Sequence, residues 1–138
     1  MVEQLSALIV DDEPLVARSV ARFLESCGCR ADLCGDGYRA VEKLTRQPFE
    51  LVITDMGLPE SSGEYLLDFI ERTNYKCRVI VMTGQDLAAN NEIVERTTPI
   101  RYLQKPFDLD LLLDYVREGA SEEGGVGPIS QRQPTGAS

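Results

Sequence analysis

Two apolar runs in this chain end in carboxylates: Leu8-Ile9-Val10 leads to Asp11-Asp12, and Leu51-Val52-Ile53-Thr54 leads to Asp55. A lone aspartate at such a place does no more than begin a turn. Three carboxylates brought to one spot repel, and at least one is driven toward protonation unless a cation intervenes. Oxygen donors without nitrogen or sulfur favour Mg2+, Mn2+ or Ca2+. Few protein ligands at a wet edge suit Mg2+, which keeps several waters and also binds phosphate. Thr83 ends a third apolar run and Lys105 follows a fourth. A hydroxyl and an ammonium of this kind suit phosphoryl oxygens. A carboxylate can itself attack phosphorus and become an aspartyl phosphate. Together these groups have the chemistry of a site that receives a phosphoryl group by positioning and charge neutralisation.

That chemistry requires the five residues to share one edge. Leu8-Ile9-Val10 and Leu51-Val52-Ile53 are short apolar runs of the kind expected for strands buried on both faces. Gly57 and Pro59 break the chain after the second. Helical spacing of Leu15, Val16, Val20, Phe23, Leu24 and Cys27 predicts a first helix, with Pro14 in its first turn, Asp12 as its cap and Gly28 closing it. Arg30 to Cys34 alternates enough for a strand at or near the sheet edge. Asp36 is placed to cap a second helix carrying Ala40, Val41 and Leu44. Leu66, Phe69 and Ile70 mark a third helix from near Gly63, and Arg78–Thr83 is the fourth strand. Residues 87–95 read as a weak fourth helix, with few apolar side chains and a solvated Asn90-Asn91. Ile100–Gln104 is a fifth strand, and Asp108 is placed to cap a last helix with the stripe Leu109, Leu112, Leu113 and Val116.

Strands alternating with helices predict an α/β fold, a doubly wound parallel sheet. For five strands the flavodoxin-like order 2-1-3-4-5 is the common solution, with ligands bound beyond the carboxyl ends of the strands at the switch between strands 1 and 3. Asp11, Asp12 and Asp55 then meet at that switch, with Thr83 and Lys105 on the same edge.

At 138 residues the chain is expected to hold one domain, residues 1–118, with a core of useful size. Ten of residues 119–138 are Gly, Pro or Ser, so a flexible tail or a truncated linker is expected there. A net charge of −9 argues against direct nucleic-acid binding, which needs a basic face, and against an anionic membrane surface. No basic region with a long apolar segment opens the chain and no run has the length of a membrane span, so an unexported, cytoplasmic protein is expected. Cys27, Cys29, Cys34 and Cys77 lack the recurring spacing of a zinc site and have no histidine to join them, which reads as reduced core residues. The absence of histidine also excludes, within this chain, a Ser-His-Asp triad, a Cys-His pair and a histidine phosphocarrier.

From about residue 5 to 118 the chain resembles the receiver domains of response regulators in two-component signalling. The resemblance rests on Asp11-Asp12, Asp55 with Pro59 and Gly63 beyond it, Thr83, and Lys105-Pro106. Each is weak alone; in this order, each at a strand end, they are specific. The resemblance implies that Asp55 is the phosphoacceptor, that Asp12 and Asp55 hold Mg2+ directly and that Asp11 acts through a metal-bound water. It assigns a third protein ligand to the main-chain carbonyl of Gly57, and phosphoryl contacts to Thr83 and Lys105. Tyr102 matches the family's switch aromatic; the plain alternative is an ordinary strand tyrosine. Gly57 and Gln85 stand where the family's residues influence phosphoryl lifetime. The implied donor is a histidine kinase or a histidine phosphotransfer protein, and the implied receiver of the signal is an effector protein, an attached output domain or a second copy in a homodimer.

Three functions were weighed on these residues. The first is a phosphorylation-switched binding module, not an enzyme in the usual sense, since it promotes only its own phosphorylation and dephosphorylation. The second is a receiver-like interaction domain that is never phosphorylated; the intact acidic group, Thr83 and Lys105 speak against it. The third is a phosphatase with an aspartyl nucleophile, whose second acid two residues on is here Gly57. The output face is expected on the fourth helix, fifth strand and last helix. On the last helix, Leu111 and Tyr115 lie off the apolar stripe, as a half-buried flank or as a partner contact.

Overall fold

A computed structural model describes residues 5–84 and 99–121, with side chains as far as Glu118. The elements are β1 (Ser6–Val10), α1 (Pro14–Ser26), β2 (Arg30–Cys34), α2 (Gly37–Arg46), β3 (Leu51–Asp55), a single 3-10 turn (Pro59–Ser61), α3 (Ser62–Thr73), β4 (Arg78–Thr83), β5 (Ile100–Gln104) and α4 (Leu109–Ser121). All pairings are parallel and the order is β2-β1-β3-β4-β5. The flavodoxin-like arrangement expected from the alternation is therefore the fold, with β2 at an edge. The fourth helix expected at residues 87–95, Gln85, Asn90-Asn91 and the tail beyond Ser121 lie outside the described residues. The last helix runs past the composition break at Gly119, through Ala120 to Ser121.

Alternation along the strands sends side chains to two cores. Ala7, Ile9, Leu51, Ile53, Ile80, Met82 and Leu103 face α1 and α4; Leu8, Val10, Val52, Val79 and Val81 face α2 and α3. Register stacks Ile9 on Ile53 and Ile53 on Ile80 across the sheet. Side chains this fully buried contribute about 1.5–3 kcal/mol each, which holds the strand ends, and whatever they carry, in fixed relation. Asp36 caps α2 as expected, its carboxylate accepting from the Arg39 amide at 2.8 Å. Gly28, at φ 97°, closes α1 with its own amide on Glu25 and that of Cys29 on Leu24, the 5→2 and 6→1 pair of a Schellman turn.

Three local readings are corrected. Asp12 does not cap α1: Glu13 holds the cap position, without a side-chain hydrogen bond, so Asp12 is left free to face the sheet edge. The buried face of α1 is Ala17, Val20, Ala21 and Leu24, and Leu15 is 75% exposed. The two alanines let the helix lie close to the sheet, and Leu15 falls on the far side of that face.

The third correction concerns Leu111 and Tyr115. Tyr115 is buried in the core with Leu112 and Val116, Leu111 packs against the same cluster, and Leu109 is the exposed residue. The helix is turned by its anchors. Arg78 donates to the carbonyls of Tyr115 and Val116 at 2.9 and 3.0 Å. Arg101 lies 4.7 Å above the Tyr115 ring and makes a two-armed pair with Glu118 at 3.2 and 2.7 Å. Tyr115 is thus covered from within its own chain, and Leu111 holds the half-buried flank that was the plain alternative for this pair.

Candidate functional site

At the carboxyl edge of the sheet, backbone hydrogen bonds tie β1 to β2, β3 to β4 and β4 to β5. The Asp11 amide donates to Cys34, that of Met56 to Met82, and that of Lys105 to Thr83, at 3.1, 2.7 and 2.7 Å. Asp11 and Asp55 are buried at this edge and Asp12 is exposed beside them. One carboxylate oxygen from each lies within 4.8 Å of the other two. The amino group of Lys105 is 3.1 Å from Asp55 Oδ1 and 3.7 Å from Asp11 Oδ2. Thr83, 1% exposed, ends β4 next to them.

Electrostatics at the cluster are unbalanced. Asp11 Oδ1 accepts from the Glu13 amide at 2.9 Å, which orients the group, but Oδ2 is buried with no hydrogen-bond partner. Burial, above all, raises the Asp11 pKa, aided by Asp55 and Glu13 and opposed by the Glu13 amide and Lys105. Partial burial works against the charge of Lys105, but its hydrogen bond to Asp55 and the charges of Asp55 and Asp11 outweigh this and raise its pKa. An anionic cluster with one buried oxygen that lacks a hydrogen bond, and a single lysine as counter-charge, suits an oxygen-seeking divalent cation.

A pocket of about 600 Å³ opens beside the cluster, lined among others by Asp55, Gly57, Thr83, Tyr102 and Lys105. The structure therefore brings Asp11, Asp12, Asp55, Gly57, Thr83, Tyr102 and Lys105 together at this edge, while Leu111 and Tyr115 lie apart on α4. Tyr102 is half-buried and shares this pocket with Thr83, on the α2–α3 side of the sheet. Glu13, Met56, Glu64 and Leu67, also in its wall, were not singled out in the sequence. Of these, Glu13 had a visible signal, its place in the Asp11-Asp12-Glu13 run. Leu67 had none, because a helix residue one step from the core stripe carries no mark of what it faces. All four cysteines are free thiols, and they form no metal cluster with each other or with carboxylates among the described residues.

Residues 7–117 match the family model described as the response regulator receiver domain. The chain belongs to this family. It is 33% identical over 120 residues to the response regulator Rre1 of Synechocystis, covering 85% of this chain and 52% of that protein. The probable transcriptional regulatory protein TcrX of Mycobacterium tuberculosis is 31% identical over 109 residues, 78% of this chain and 46% of the relative. The signal transduction histidine-protein kinase BarA of Escherichia coli is 26% identical over 110 residues, 78% of this chain and 12% of that protein. This receiver thus spans between about an eighth and half of these relatives. Among solved structures, the response regulator protein TrrA of Thermotoga maritima, in complex with Mg2+-BeF, superposes with a TM-score of 0.73 at 24% identity, over 83% of this chain and 98% of that one. The chemotaxis response regulator CheY4 of Vibrio cholerae gives 0.73 at 20% identity, over the same shares of each chain. Both likenesses concern the fold.

Proposed function

We propose that this receiver accepts a phosphoryl group on Asp55, with Mg2+ bound, from a phosphohistidine of a histidine kinase or a histidine phosphotransfer protein. The observation that carries the proposal is the Lys105 amino group at 3.1 Å from Asp55, beside a buried Asp11 oxygen that has no hydrogen bond. Asp11, Asp12, Asp55 and the Gly57 carbonyl are the residues that would hold Mg2+, which when bound supplies positive charge against the phosphoryl oxygens. An Asp55 carboxylate oxygen attacks phosphorus, the bond between phosphorus and the donor nitrogen breaks, and its electron pair leaves with the imidazole. Lys105 passes from the carboxylate to a phosphoryl oxygen, and the Thr83 hydroxyl donates to another. No separate substrate is turned over, so the domain acts as a switch and not as an enzyme on other molecules.

Thr83 is drawn toward the new charge, which changes the room available to Tyr102 on β5 and presents an altered surface to an effector or an attached output domain. The histidine-protein kinase and the response regulators among the relatives support a phosphohistidine donor and a downstream protein as partners. The crystal form of TrrA with Mg2+-BeF supports the metal. No helix among the described residues is long and apolar enough to cross a membrane, which agrees with work in the cytoplasm.

Intact-mass measurement after incubation with a small phosphodonor and Mg2+ tests this. One added phosphoryl group is expected, lost on Asp55→Asn and on removing Mg2+. Undiminished, metal-independent labelling of Asp55→Asn would place the chemistry elsewhere.

A further inference from the structure

The two loops that carry the carboxylates are joined by a third segment that contributes no ligand, residues 34–38, from the last residue of β2 into the first turn of α2. At one end the Cys34 carbonyl accepts the Asp11 amide at 3.1 Å. At the other, the Gly37 amide donates to Ser62 Oγ at 3.0 Å and the Tyr38 hydroxyl donates to the Glu60 carbonyl at 3.0 Å. The Tyr38 ring also rests on Tyr65, centroids 4.7 Å apart. Ser62 is fully buried at the start of α3, and the next residue, Gly63, lies beside Asp55, where a Cβ would be at ordinary van der Waals distance, 3.6 Å, from the Asp55 carbonyl oxygen. Contacts therefore run from the Asp11 backbone through 34–38 to the turn at Glu60–Ser62, which follows Asp55 in the chain.

Two features indicate that this path is under constraint. Gly37 approaches α3 so closely that any Cβ would lie 1.8 Å from the Ser62 carbonyl oxygen, so only glycine fits. Glu60 and Ser61, both non-glycine, are held at φ 58°. Left-handed backbone at non-glycine residues is costly and persists only where surrounding contacts determine it. The Tyr38 and Ser62 contacts grip this turn, which follows Gly57 and Leu58 in the chain.

We infer that Ser62 and Tyr38 are positioning residues: through them, segment 34–38 sets the distance between the Asp11 and Asp55 loops, and so the affinity of the cluster for a divalent cation. This rests on the metal site proposed above. It is a brace acting on the ligands' backbones, with no contact to the ion.

The test uses the full chain, with Tyr38→Phe and Ser62→Ala, titrated with Mg2+ alone by calorimetry and melted without metal. Tyr38→Phe keeps the ring on Tyr65 and removes only the hydroxyl on an exposed residue. It should melt within about 3 °C of wild type while its Mg2+ dissociation constant rises about threefold to fivefold, the part of one hydrogen bond's contribution that depends on the metal-bound spacing. Ser62→Ala should weaken Mg2+ similarly and also lower the melting temperature, because the buried Gly37 amide loses its partner. Dissociation constants within about twofold of wild type in both folded variants would overturn the brace and leave the metal site standing. A wild-type chain that binds no Mg2+ would overturn both.

Discussion

Lys105 is both the group expected to receive phosphoryl oxygens and the resident counter-charge of the cluster, so Lys105→Ala should move two measurements in opposite directions. Its amino group is 3.1 Å from Asp55 Oδ1, with the side chain 25% exposed. A hydrogen bond to a charged group contributes about 1.5–3 kcal/mol. Partial exposure and the surface screening of ion pairs bring that to about 1–2 kcal/mol here. A divalent cation must compete with this contact for the same carboxylate, and removing it frees that amount for metal binding. At about 1.4 kcal/mol per factor of ten, the Mg2+ dissociation constant should fall about fivefold to thirtyfold. Phosphoryl labelling of Asp55 should nonetheless fall by at least about tenfold, because a charge that neutralises the transferred group is gone. Calorimetric titration gives the first quantity and time-resolved intact mass the second. Unchanged or weaker Mg2+ binding by a folded Lys105→Ala chain would refute the competition. Unchanged labelling would remove Lys105 from the transfer.

Two further outcomes concern stability. Glu118→Ala removes the two-armed pair with the Arg101 guanidinium, which is only 12% exposed; a loss of about 1–3 kcal/mol is expected in urea unfolding, and no loss would mean that α4 is held by its other contacts. Burial pushes the Cys34 thiol up to about 11 and the Cys77 thiol up to about 12, so both should alkylate slowly at pH 8 in the folded chain. Because these thiols ionise more readily when unfolded, their contribution to stability is complete below about pH 9 and declines as pH rises toward 11–12. Rapid labelling at pH 8, or a stability flat across that alkaline window, would contradict it.

Much of the site was legible before any coordinates, for a definite reason. Short β-branched runs, breakers after them and carboxylates at their ends are local signals, and the rules of parallel-sheet topology leave few ways to arrange five such units. Asp11, Asp12, Asp55, Thr83 and Lys105 could therefore be placed on one edge from the sequence alone. What lay beyond reach depended on rotation and on contact between distant segments. The stripe Leu109, Leu112, Leu113 and Val116 is a sound helical pattern, yet α4 buries Leu112, Tyr115 and Val116 and exposes Leu109. Arg78 and Arg101, from two other strands, choose that rotation by bonding its carbonyls, covering its tyrosine and pairing with Glu118. Likewise nothing near Gly37 in the chain announces Ser62, 25 residues away. Periodicity states which side chains can share a face; which face turns inward, and what meets it there, is decided only when the elements pack.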